Sequence, residues 1–250
     1  MLILAATSSL LYRADAFTPT ADQKLCAELP ANADVVAACT RIIEATNSST
    51  LDRAVSHTFR ADAARADGNT AAAIADYNHI AYRNAQKYDL SLHDFDQAIA
   101  IEPNNAGLYN SRGVSYRMNG DSSQAMADFS QAIKLEPDNA VAFNSRGNVY
   151  ADIKQPDQAI ADFTQAIKLD RAYGSAYFNR GSVEADDKDQ LDKAIADFST
   201  AIKLDSSNTD AYVSRAVAYI RKNNTAAALA DLNTAIGATP EGALVVLRLW

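Results

Sequence analysis

The apolar positions of this chain fall on helical spacing and return at a fixed interval. From Ala140 to about Ile153, the residues Phe143, Gly147 and Tyr150 stand four and three apart, which places them on one helix face. Pro156 then suits the first turn of a second helix, where its missing N–H costs nothing. Ala159, Phe163, Ala166 and Ile167 make the buried stripe of that second helix. The stripe recurs as Ala125, Phe129, Ala132 and Ile133, as Ala194, Phe198, Ala201 and Ile202, and as Ala228, Leu232, Ala235 and Ile236. Pro103, Pro137 and Pro240 fall just after such helices, where proline ends a helix cleanly.

The first helices repeat as well. Tyr109-Asn110-Ser111-Arg112-Gly113 returns as Phe143-Asn144-Ser145-Arg146-Gly147, then as Tyr177-Phe178-Asn179-Arg180-Gly181 and Tyr212-Val213-Ser214-Arg215-Ala216. The arginines are 34, 34 and 35 residues apart. One helix pair cannot cover its own apolar faces, so a period of this length predicts stacking. The fold expected is all-α: a solenoid, or α-α superhelix, of stacked antiparallel helix pairs.

The pattern resembles the tetratricopeptide repeat, whose motif runs aromatic-x-x-Leu-Gly-x-x-Tyr, then Ala-x-x-x-Phe, then Pro. Here it stands as Tyr109-x-x-Arg112-Gly113-x-x-Tyr116, Ala125-x-x-x-Phe129 and Pro137. Four successive repeats are expected over 106–139, 140–173, 174–208 and 209–240. They depart from the motif in three ways: arginine replaces the motif leucine, Glu184 replaces a tyrosine, and the run Asp186–Gln190 carries one extra residue.

Upstream the period decays. Asp94-Phe95 matches Asp128-Phe129, but Tyr77 and Phe95 are only 18 residues apart, so half a repeat is missing. Residues 71–105 read as a degenerate, truncated repeat, with Ile80–Lys87 either a stunted first helix or part of one long helix. Residues 17–70 read as an atypical helical cap, with Asn47–Thr50 as turn and cap for a helix over 51–67. Residues 241–250 read as an apolar C-terminal capping segment.

Composition sharpens this reading. Of 250 residues, nine are Gly and six are Pro, which suits a helical chain. The net charge of -8 and the lack of any basic run argue against nucleic acid as a partner. No segment is apolar over a membrane-spanning length. Residues 1–16 combine a short apolar run with Ala14-Asp15-Ala16, the small-x-small pattern of a signal-peptide cleavage site, although no basic residue precedes the run. The alternative is an ordinary first helix. A leader would send Cys26 and Cys39 to an oxidising periplasmic or secreted setting and favour a disulfide between them; a cytoplasmic chain would keep both as small buried thiols. No phosphate loop, catalytic triad, metal spacing or redox CxxC is present, so neither enzyme nor cofactor is expected.

The arginines run parallel to an aspartate ladder, Asp128, Asp162, Asp197 and Asp231, with Asp94 upstream. Structural Arg–Asp pairing is the expectation, ahead of an anion-binding row; whether each pair stays within one repeat is open. The resemblance further implies that first helices line a concave groove for an extended peptide or helix. The groove residues would be Asn110, Val114, Arg117, Asn144, Asn148, Asp152, Phe178, Ser182, Val217 and Arg221. The groove offers Asn but no Lys, so it does not match the subgroup that grips a C-terminal carboxylate. The function expected is a non-catalytic scaffold binding a protein or peptide segment. The alternative is a structural subunit that joins copies of itself or a larger envelope complex through its ends.

Overall fold

Polar caps and left-handed turns cut the chain into helices where the spacing places them. The computed structural model of the chain describes residues 20–27, 33–45, 50–83, 88–186 and 189–238. These residues form thirteen α-helices, with no strand among them. The expected leader at 1–16, the turn at Asn47–Ser49 and the capping segment at 241–250 lie outside the described residues. The chain divides into two compact units, Met1–Asn119 and Gly120–Trp250.

The first unit holds α1 (Ala21–Cys26), α2 (Ala33–Glu44), α3 (Thr50–Ala66), α4 (Thr70–Arg83), α5 (Tyr88–Ile101) and α6 (Ala106–Met118). A capping box opens α1: Gln23 N–H donates to the Thr20 hydroxyl at 3.2 Å, and Thr20 N–H donates to Gln23 Oε1 at 2.7 Å. A disulfide joins Cys26 to Cys39 across α1 and α2, in a small core with Val35, Ala38 and Ile42. Gly68, at φ 74, turns the chain from α3 into α4. There the Asn69 and Gly68 N–H groups close the end of α3 on the carbonyls of Ala64 and Arg65, as left-handed helix ends do.

Among the described residues, the stretch of the missing half repeat carries α4 and α5. Residues 84–87, between α4 and α5, lie outside the described residues. Helix α5 has the stripe of a second helix, yet it follows α4, which has the same stripe. Phe95 and Ala98 of α5 pack on Ala61 of α3, Ala73 and Ile74 of α4, and Leu108 of α6.

The second unit begins with α7 (Ser122–Leu135) and continues as three helix pairs. These are α8 (Ala140–Asp152) with α9 (Pro156–Leu169), α10 (Gly174–Asp186) with α11 (Leu191–Leu204), and α12 (Thr209–Arg221) with α13 (Thr225–Ala238). The side chains of Asp121, Asn139 and Asn208 each accept a backbone N–H at 3.0–3.1 Å and start α7, α8 and α12. Pro156 sits in the first turn of α9. Lys154 and Asn223, both at φ 59, hold the left-handed turns that end α8 and α12.

Glycine sets the distance between paired helices. A Cβ on Gly147 would lie 2.7 Å from Cε1 of the fully buried Phe163. On Gly181 it would lie 3.0 Å from Cε1 of Phe198. The ring of the second helix thus occupies the space that a first-helix side chain would take. Each second helix then packs on the next first helix, as Ala201 and Ile202 of α11 do with Ala211 and Tyr212 of α12.

Candidate interaction surface

The arginines on the first helices are already engaged. Arg146 Nε and Nη2 donate to the two oxygens of Asp162 at 2.7 and 2.9 Å, within one helix pair. Its Nη1 reaches back to Ser130 Oγ on the preceding second helix at 3.3 Å. Arg180 does the same with Asp197 at 2.7 and 2.9 Å and Thr164 at 3.0 Å. Arg215 does so with Asp231 at 2.8 and 2.7 Å and Ser199 at 2.8 Å. Each arginine therefore pairs with the aspartate of its own repeat and ties that repeat to the one before. The carboxylate raises each guanidinium pKa further above its ordinary value, against the opposing effect of burial. Aromatics of the same helix flank the guanidinium, Phe143 and Tyr150 beside Arg146, Tyr212 and Tyr219 beside Arg215.

Glu184 takes the place of one such tyrosine and is buried. Its Oε2 has no hydrogen-bond partner, and burial followed by Asp197 pushes its pKa up. In the first unit, Arg112 Nη1 donates to Asp96 at 2.6 Å, at the ladder position where later repeats carry a hydroxyl.

One rung was not read from the sequence. Arg60 on α3 clasps Asp76 on α4 at 2.8 and 2.7 Å and reaches back to the Thr40 hydroxyl on α2 at 3.0 Å. His57 Nδ1 lies 2.9 Å from the same carboxylate. Burial works to raise the Asp76 pKa, but Arg60 and His57 outweigh it and hold it below the ordinary value. The available signal was the 16-residue spacing from Arg60 to Asp76, the same as from Arg146 to Asp162.

Beside the ladder, the first helices present a second face at three- and four-residue steps. In the second unit α8 and α12 both pack beside α10, so these faces adjoin. On α8 the face carries exposed Val141, half-buried Asn148 and exposed Asp152. On α10 it carries Phe178 and Ser182, both half-buried, and on α12 Val217, half-buried, with exposed Ile220 and Arg221. Asn144 differs from the groove expectation: it is buried, accepts from Asn179 Nδ2 at 3.0 Å and bonds the Tyr173 hydroxyl. Its partners come from the next repeat, so spacing within one helix could not disclose its burial. Arg221 donates to the Ala185 carbonyl at 2.8 Å and to Asp189 at 2.7 Å, which fastens the lengthened turn to α12. Phe178 packs against Phe198, with ring centroids 5.7 Å apart. On α6 of the first unit Val114 is exposed, Arg117 is half-buried, and Asn110 Oδ1 is buried without a hydrogen-bond partner.

Comparison with known proteins agrees with this geometry. Family models described as tetratricopeptide repeat match residues 95–127, 140–173 and 184–243, and one described as TPR repeat matches 115–154. No curated protein matches the chain. Among solved structures, MamA is 22% identical over 73% of this chain and 96% of its own, with a TM-score of 0.56. A MamA fragment from Desulfovibrio magneticus RS-1 is also 22% identical, covering 66% of this chain and 94% of its own, with a TM-score of 0.57. YrrB, described as a TPR protein with an unusual peptide-binding site, is 25% identical over 69% of this chain and 91% of its own, with a TM-score of 0.53.

Proposed function

The chain belongs to the tetratricopeptide repeat family, and from that membership we propose that it is a non-catalytic scaffold that binds a protein or peptide segment along its first-helix face. The observation that carries this reading is the division of labour on the first helices of the second unit. The Arg, Gly and aromatic positions are consumed by packing and pairing, whereas Asn148, Ser182 and Val217 at the intervening positions are partly open and differ in chemistry from helix to helix. A row of dissimilar, partly open side chains on a rigid support is what selective peptide recognition uses. The peptide-binding site of YrrB supports the same reading.

The test is a selection of displayed peptides against the full chain, with affinities of the winners measured by fluorescence anisotropy. Asn148→Lys combined with Val217→Lys is expected to weaken them at least about tenfold, roughly 1.4 kcal/mol, with the helical circular dichroism unchanged. Equal affinity for the folded variant would place the site elsewhere.

A second reading rests on the end of the array. On α13, Leu229 and Ile236 are 52% and 41% exposed, while Ile202, which matches Ile236 in the preceding repeat, is 9% exposed beneath α12. This open apolar face supports assembly with another copy or a larger complex. Sedimentation of the chain at rising concentration tests it: oligomers that vanish in Leu229→Glu/Ile236→Glu favour it, and a monomer throughout removes it.

For location we propose an oxidising compartment, periplasmic or extracellular, and the Cys26–Cys39 disulfide supports it. Recovery of the native protein with both cysteines alkylatable would contradict it.

A further inference from the structure

We propose that Asp94 is a proton-held joint: its carboxyl must stay protonated for α5 to remain seated on α3, and losing that proton loosens the seat. The geometry begins with the ladder. Asp76, Asp162 and Asp231 each receive an arginine 16 residues earlier in the chain. Sixteen residues before Asp94 stands Asn78. The ladder therefore has an aspartate here with no arginine at the matching position.

Asp94 is 1% exposed. One oxygen faces the Thr58 hydroxyl at a long 3.4 Å, and the other, Oδ2, is buried without a hydrogen-bond partner. Among the described side chains, the charged and titratable groups on the surrounding helices do not supply a counter-charge. On α3, Asp62 adds charge of the same sign, Arg65 is turned to Gln97 and Asp62, and His57 and Arg60 are both on Asp76 of α4. On α6, Arg112 bonds exposed Asp96, two residues along α5 from the buried carboxyl. His93 on α5 is exposed. An ionised carboxylate buried without a partner is costly, so the group keeps its proton instead. Burial, reinforced by Asp62, raises its pKa to about 8.

The sign follows from linkage. The folded-state pKa lies above the unfolded one, so the folded state holds more protons between about pH 4 and pH 8. Stability of this region falls as pH rises through that window and levels off above it. Leu108 of α6 shares the core in which Phe95 of α5 packs, so loosening α5 also undermines α6.

Hydrogen exchange of the full chain, corrected for the intrinsic effect of pH, reads this directly. Between pH 6.5 and 9, the opening equilibrium of α5 amides is expected to rise about thirtyfold, which is tenfold per pH unit up to about pH 8. In Asp94→Asn, which cannot ionise, that rise should disappear. A wild-type profile flat across the range, or a variant that keeps the rise, overturns the proposal. If the variant does not fold, carbon-13 NMR of aspartate carboxyls in the wild-type chain decides. A carboxyl titrating near pH 8 supports the joint, and none titrating above pH 6 overturns it.

Discussion

Arg146 shows how one residue does three jobs at once. It neutralises Asp162, stacks between Phe143 and Tyr150, and holds Ser130 of the preceding second helix. Asp162→Asn leaves a partly buried guanidinium without its counter-charge and with one of its three hydrogen bonds lost. Because the arginine side chain is 21% exposed, the loss is discounted from that of a fully buried pair to about 1–3 kcal/mol. Urea unfolding measures it, and Arg146→Met together with Asp162→Leu should recover much of it, since an apolar pair leaves no charge stranded. Gly147 is less tolerant of change. Gly147→Ala should gain helix propensity yet lose about 1–2 kcal/mol net, because the Phe163 ring is fully buried and cannot move aside. Phe163→Leu in the same chain should restore part of the loss; a Gly147→Ala chain more stable than wild type would refute the close-packing account.

At the level of elements, the turns between paired helices are a source of avoidable strain. Lys154 holds the left-handed turn after α8, with its own N–H on the Ala151 carbonyl and the Gln155 N–H on the Tyr150 carbonyl. Lys154→Gly should stabilise the second unit by about 0.5–1 kcal/mol in thermal unfolding, since glycine takes this conformation without penalty. The helices themselves were legible in the sequence wherever the Ala-x-x-x-Phe stripe and its period persisted, because burial against the same neighbour recurs every 34 residues. A helix over 51–67 was also legible, but its ladder pairing with α4 was not, because His57, Ala61 and Ala64 fill the aromatic, glycine and tyrosine places while the Arg60–Asp76 pairing endures. The interaction face was legible only in part. Helical spacing selects a face, but that Asn144 on it is buried is decided by residues of the next repeat, Tyr173 and Asn179.

For the whole molecule, the disulfide and the arginine ladder stabilise different stretches. Cys26–Cys39 closes a short loop near the start of the chain, worth about 3 kcal/mol in the loop-entropy account. Reductant should therefore raise hydrogen exchange in α1 and α2 and leave α8–α13 unchanged; a uniform rise would mean that the protein unfolds as one block. The backward reach of the arginines has a consequence for how such a gene can grow. Ser130, Thr164 and Ser199 offer interchangeable hydroxyls to the arginine that follows. A tandem duplication of residues 140–173 would thus hand every copied arginine a familiar acceptor at both splice junctions. A duplication ending at α5 would instead present Asp96, a carboxylate, to its new neighbour. The array can lengthen by whole cassettes in the second unit while every arginine keeps a hydroxyl behind it, whereas a cassette spliced after α5 must accommodate an extra negative charge.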